Sequence, residues 1–102
     1  MIRVSAMYPN APGRRFDWKY YLETHMVTVR QLLEAYGARA EVDKGIGTAQ
    51  PGAMAPYVAI CHMYYKNMED LQKVMAQAAN MNNDIPNFTD TQPQIQISEI
   101  IE

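Results

Sequence analysis

The run Tyr57-Val58-Ala59-Ile60-Cys61-His62-Met63-Tyr64-Tyr65 limits the fold more than any other stretch of this chain. Its aromatic and branched residues favour a strand. Successive strand side chains point to opposite faces, so Tyr57, Ala59, Cys61, Met63 and Tyr65 share one face. Val58, Ile60, His62 and Tyr64 share the other. Both faces are mostly apolar, and a strand of that kind is covered on both sides. One layer of helices covers only one of them. The second face calls for a partner, and a second copy of the same sheet is the simplest. The run is also too short to span a bilayer.

The rest of the chain supplies the layers. Ile2 to Tyr8 alternates, with Ile2, Val4, Ala6 and Tyr8 opposite Arg3, Ser5 and Met7, and reads as a strand. Pro9 to Gly13 is a turn-rich loop. Asp17 caps a helix that Gly37 ends. Arg39 to Gly47 reads as a second strand, polar enough to be an edge. Gly52, Pro51 and Pro56 make the stretch from Thr48 to Pro56 a loop. After the strand at Tyr57 to Tyr65, Asn67 and Asp70 resemble a capping box. The helix they open carries Met68, Leu71, Val74, Met75 and Ala78 on one face. It frays over Asn80 to Asp84, and Pro86 blocks continuation. Asn87 to Gln92 is loop, and Gln94 to Ile101 is a fourth strand. The order is βαββαβ, an α+β ferredoxin-like arrangement: an antiparallel four-stranded sheet with two helices on one face. Residues 1–102 suit one domain.

Several function classes are disfavoured. The net charge is −2 at neutral pH, which argues against an electrostatic nucleic-acid binder or a membrane-surface protein. RNA-recognition motifs share this topology, but their third-strand signature is basic and contains glycine. Here that strand has aromatics and neither of the others. The start of the chain shows no signal-peptide hydrophobic region. Cys61 is the single cysteine, so no internal disulfide forms. These features fit a reducing cytoplasm. The glycines form no phosphate cradle, and two histidines with one cysteine give no metal-ligand spacing. The expected cofactor is none. Cys61 and His62 are neighbours on a strand, so they diverge.

His25 remains. Trp18, Leu22, His25, Val29, Leu32 and Tyr36 follow helical spacing, which puts an imidazole inside an apolar stripe. A buried imidazole needs a hydrogen-bond partner, or the stripe lines a cavity. A structural histidine is the plainer reading. A neutral imidazole also accepts a proton near neutral pH. Tyr8, Tyr20, Tyr21, Tyr57 and Tyr64 offer phenolic donors, and Tyr21 lies four residues before His25. Eight methionines and seven tyrosines suit a small cavity with hydroxyls, or equally a loosely packed core.

Particular residues carry a family resemblance. Tyr8-Pro9-Asn10 follows the first strand, and Phe16-Asp17 leads into Tyr20-Tyr21-Leu22 and His25-Met26. Asp84-Ile85-Pro86-Asn87-Phe88-Thr89-Asp90 and Gln94 to Glu99 lie at the other end. Over nearly its full length the chain resembles the EthD family of dimeric α+β barrel proteins. That family usually continues His-Met with Pro-Leu. Val27-Thr28 stand here instead, which removes a proline bend.

The resemblance implies a homodimer of ferredoxin-like subunits with sheets packed face to face. It implies a role in small-molecule catabolism or secondary metabolism. EthD-like proteins accompany ether-degrading monooxygenase systems and are often labelled reductases, an oxidoreductase label for which these residues show no flavin, nicotinamide or haem site. Related barrels act as cofactor-free monooxygenases, decarboxylases or cyclases through histidine and tyrosine. On that basis His25 and Tyr21 are the candidate catalytic residues. Tyr8, Trp18, His62 and Tyr64 are the candidate contacts to a small organic substrate. Two functions follow: a cofactor-independent enzyme with His25 as acid or base, or a non-catalytic accessory protein of a monooxygenase pathway.

Overall fold

The computed structural model describes residues 1–102. Four antiparallel strands, β1 (Ile2–Pro9), β2 (Arg39–Lys44), β3 (Tyr57–Tyr65) and β4 (Gln94–Glu99), form one sheet in the order β2-β3-β1-β4. Helix α1 covers residues 18–34, α2 is Met68–Met75 and α3 is Ala79–Asp84. A 3₁₀ turn, Ile85–Asn87, follows α3. The fold is the ferredoxin-like one that the element order implies. No helix is long and apolar enough to cross a membrane.

Strand pairing sorts the side chains. Val4 stands opposite Met63, Ala6 opposite Cys61, and Tyr8 opposite Ala59. These residues join Tyr21, Met26, Val29 and Leu33 of α1 and Leu71 and Val74 of α2 in one core. Both long helices therefore lie on the same face. The two outer strands are β2 and β4, both shorter than their sequence patterns. Just past β2, the Gly45 amide still bonds the Val58 carbonyl at 3.0 Å. A side chain at Gly45 would run into the Tyr57 carbonyl and stand 2.8 Å from the Ala55 Cβ.

The caps are those the sequence marks. The Asp17 carboxylate accepts from the Tyr20 amide, and Asn67 accepts from the Asp70 amide. Gly37 follows α1 with φ +65°, a left-handed conformation that glycine adopts without steric cost.

Three expectations need correction. Leu22 does not face the sheet; it is exposed, and Tyr21 is fully buried instead. The cause lies inside α1. Between α-helical Trp18–Tyr20 and Met26–Glu34, residues Tyr21–His25 form a π turn, closed by the Met26 amide on the Tyr21 carbonyl. A π turn takes in one extra residue and shifts the face that follows. The buried set becomes Tyr21, His25, Met26, Val29 and Leu33.

Secondly, residues 80–84 do not fray. They belong to α3, although α3 has no side-chain cap and no buried residue. Tertiary contacts of Asp84 hold it, as described below. Met75 and Met68 are exposed, and only Leu71 and Val74 of α2 are buried.

Thirdly, the helix-free face of β3 is less apolar than its residues imply, because neighbouring strands lay polar groups on it. The two ring nitrogens of His62 stand 3.0 Å from Ser5 Oγ and 3.0 Å from Asp43 Oδ2. The Tyr64 hydroxyl donates to Glu41 at 3.0 Å, and the Arg39 guanidinium lies 4.2 Å from the Tyr64 ring centre.

Candidate active site at His25

The segment after α3 is stapled to the segment before α1. Phe16 and Thr89 form a β-bridge. The Asp17 amide donates to the Phe88 carbonyl at 2.7 Å, and the Thr89 hydroxyl donates to the Arg15 carbonyl at 2.7 Å. The Arg15 guanidinium donates to the Pro86 carbonyl at 2.7 Å. This lock drives Phe88 into the core and sets Asp84 beside His25.

Phe88 and Tyr21 hold the imidazole. The Tyr21 ring is stacked on His25 at 5.5 Å with 17° between planes, and the Phe88 ring lies 4.6 Å away. His25 Nδ1 stands 3.0 Å from Asp84 Oδ2. The other carboxylate oxygen accepts from the Tyr20 hydroxyl at 2.6 Å and from Asn87 Nδ2 at 2.8 Å. Partial burial alone would push the Asp84 carboxyl up. The hydrogen bonds from Tyr20, Asn87 and His25 outweigh it and hold the group below the usual carboxylate range. An ionised Asp84 accepts a hydrogen bond from Nδ1–H, so the Nδ1–H form of the ring is favoured. Nε2 is then the acceptor, and it makes no hydrogen bond within the chain.

His25 lines a cavity of about 80 Å³ between α1, α3 and the sheet. The walls are largely apolar: Ala6, Met26, Val29, Met63, Met81 and Ile85 among them. Tyr8 lines it too, and its hydroxyl has no partner in the chain. Burial raises the Tyr8 phenol above its ordinary range, with Cys61 adding to the effect, so it stays protonated and a donor. Tyr21 differs. Its hydroxyl is sealed without a hydrogen-bond partner, so the ring orients His25 while the hydroxyl does not reach the cavity freely.

The sequence-predicted residues thus divide. The structure brings His25, Tyr21 and Tyr8 together. Trp18 packs edge-on against Tyr21 at 5.9 Å but does not line the cavity; its exposed side borders a surface groove with Leu22, Val42 and Lys44. His62 and Tyr64 lie on the opposite face of the sheet. Strand alternation puts them a full sheet thickness from His25, and their polar groups are engaged as described above. Asp84 is the residue the sequence reading missed in this role. Its signal was the Asp84-to-Asp90 segment, whose contact with His25 spans 59 positions. No three His, Cys, Asp or Glu side chains converge in a metal-binding group.

Cys61 lies on the cavity wall. Burial pushes its thiol up to about 11. The thiolate is the reactive form. A thiol-specific reagent near neutral pH should label the folded protein about a hundredfold more slowly than a free cysteine. Denaturant should abolish the difference. Rapid labelling of the native protein would show that Cys61 reaches solvent.

Comparison with known proteins gives the family and the fold. The EthD domain model matches residues 13–92, a span that holds His25, Tyr20, Tyr21, Asp84, Asn87 and Phe88 but not Tyr8. The chain belongs to the EthD family. It is similar to an EthD-like protein of Ralstonia eutropha JMP134, with 36% identity, 99% of this chain and 92% of that chain covered, and a TM-score of 0.91. An ethyl tert-butyl ether d (EthD) family protein of Bacillus halodurans C-125 shares the fold. Identity there is 23%, coverage is 99% of each chain, and the TM-score is 0.76. No curated protein matches the chain. In this EthD-family chain the His-Met step runs straight into helix Met26–Glu34, as Val27-Thr28 in place of a proline allows.

Proposed function

We propose that this EthD-family chain is a cofactor-independent acid–base enzyme acting on a small uncharged organic molecule. One observation carries the reading: Asp84 holds His25 Nδ1, which leaves Nε2 as a free acceptor on a largely apolar cavity. A substrate C–H beside a carbonyl, or an acidic O–H, gives its proton to Nε2. The Asp84 carboxylate then faces the imidazolium and stabilises it. The Tyr8 hydroxyl donates to the oxygen on which negative charge develops. The apolar walls strengthen both interactions by excluding water. No cationic side chain lines the cavity, so a carboxylate or phosphate substrate would be buried unpaired, at high cost.

Hydrogen–deuterium exchange of small enolisable ketones in heavy water tests this. The wild type should exchange the α-protons faster than buffer, and His25→Ala should return the rate to the buffer value while staying folded. The accessory reading draws on the cavity's size, about half of the 150 Å³ that holds a benzene molecule. It predicts ketone binding with no exchange above buffer.

The homodimer belongs to the same proposal. The helix-free face carries half-buried Val58, Ile60 and Met7 among its polar network. A second sheet packed on it closes the molecule with two-fold symmetry. Light scattering should give twice the chain mass at micromolar concentration, and a persistent monomer would count against the interface.

A further inference from the structure

The His25 cavity is one of two that share a wall. A second cavity of about 190 Å³ lies between α2, α3 and β4. Met63, Met81, Asn82 and Ile95 line both. Its outer wall is Met75, Ala78 and Ile97, and apart from Asn82 every residue around it is hydrophobic in type. Ile95 and Ile97 are half-exposed on an edge strand, where a core residue would be covered. The inner cavity carries the His25 and Tyr8 polar groups on its lining, with Asn82 on the shared wall. The two partition methionines are unbranched and adaptable, so their side chains can part or close by rotamer change.

We infer that the two cavities form a single two-compartment binding site. It takes an uncharged molecule with a hydroxyl or enol head at His25 and Tyr8 and a slim apolar tail. The tail runs past Met63 and Met81 into the outer cavity. An oxygen bearing a proton suits the inner end best. It donates to Nε2 and accepts from Tyr8, satisfying both partnerless groups at once. The tail covers Ile95 and Ile97. Continuity through four shared residues argues for this occupant over a second copy of the chain. The assignment rests on His25 as the polar end of the site, but it stands or falls separately on the outer cavity.

The test uses the full chain and the 1-alkanols from propanol to nonanol. Binding is read from methionine methyl NMR signals and calorimetry. Affinity should rise about fourfold per added methylene, the equivalent of about 0.8 kcal/mol, until the outer cavity is full. Met81 and Met63 signals should shift with every alcohol, and the Met75 signal only with the longer ones. Ile97→Trp fills the outer cavity at an exposed edge position. It should leave propanol binding unchanged and remove the chain-length gain. Tyr8→Phe should weaken all alcohols by the same factor, about fivefold.

Flat affinity across the wild-type series would overturn the two-compartment site and leave the His25 reading intact. Alcohol affinities that neither Tyr8→Phe nor His25→Ala lowers would overturn it too, since the groove would then act without the polar end. A change of oligomeric state in Ile97→Trp would assign the groove to a second copy and overturn it equally. No binding by any alcohol up to millimolar concentration would overturn both readings.

Discussion

Phe88→Ala should lower the folding stability by about 4 kcal/mol, the usual cost of truncating a fully buried aromatic. Phe88 has no solvent exposure. Its ring packs at 5.7 Å from Tyr8, 5.5 Å from Phe16, 4.9 Å from Tyr21 and 4.6 Å from His25, centre to centre. Removing it empties the middle of a ring cluster whose members are fixed from three elements. Little collapse is available, because the segment 85–91 is stapled to 14–17 on either side of the void. In a domain of this size the midpoint of thermal unfolding should fall by roughly 20 °C. Phe88→Leu keeps most of the volume and should cost about 1.5 kcal/mol or less. Urea unfolding of the three proteins checks both numbers. A loss under about 1 kcal/mol for Phe88→Ala would mean that the cluster repacks, and that Phe88 does not fix the imidazole.

The strands and their faces were legible because the signal is local. Alternation in Ile2 to Tyr8 and Tyr57 to Tyr65 places each side chain without knowledge of the rest of the chain. The same alternation already separates His62 and Tyr64 from Cys61, so their distance from His25 follows from parity alone. The α1 face was legible only in part. Val29 and His25 are where helical spacing puts them, but the π turn moves the stripe by one residue, from Leu22 to Tyr21. Nothing in Tyr21-Leu22-Glu23-Thr24-His25 distinguishes a π turn from an α turn. The packing of Tyr21 against Tyr8, Phe16 and Phe88 goes with the shift.

Asp84 was illegible for a different reason. It sits in Asn82-Asn83-Asp84-Ile85-Pro86, a stretch whose residues favour turns over helix. Its helix exists because the side chain finds two donors far along the sequence, Tyr20 and His25, beside a local one at Asn87. Local propensity loses there to a tertiary hydrogen-bond hub.

That hub gives the second large effect. Asp84→Asn changes almost no volume but replaces an acceptor pair by one acceptor and one donor amide. His25 Nδ1–H, the Tyr20 hydroxyl and Asn87 Nδ2 all donate to this group. One of them must lose its partner, or the imidazole must change tautomer. Asp84 is 23% exposed and His25 7%, so water offsets part of the loss, and about 2 kcal/mol is expected.

The tautomer matters more for chemistry. With the amide donating to Nδ1, the proton moves to Nε2, and the cavity faces a donor where it had an acceptor. Proton abstraction should then fall by about 10²-fold to 10⁴-fold. Substrate binding through Tyr8 should change far less. The stability effect has a pH signature. The folded Asp84 pKa lies below its unfolded value. Its contribution is therefore complete above the unfolded value of about 3.9, and it is lost as pH falls through the lower folded value. Urea unfolding should show a constant gap between wild type and Asp84→Asn from about pH 5 to about pH 7. As pH falls through the lower folded value the gap should close, because the wild-type carboxyl is then protonated as well. A gap that persists in acid would assign the loss to shape and not to the carboxylate charge, and with it the orienting role of Asp84 would fall.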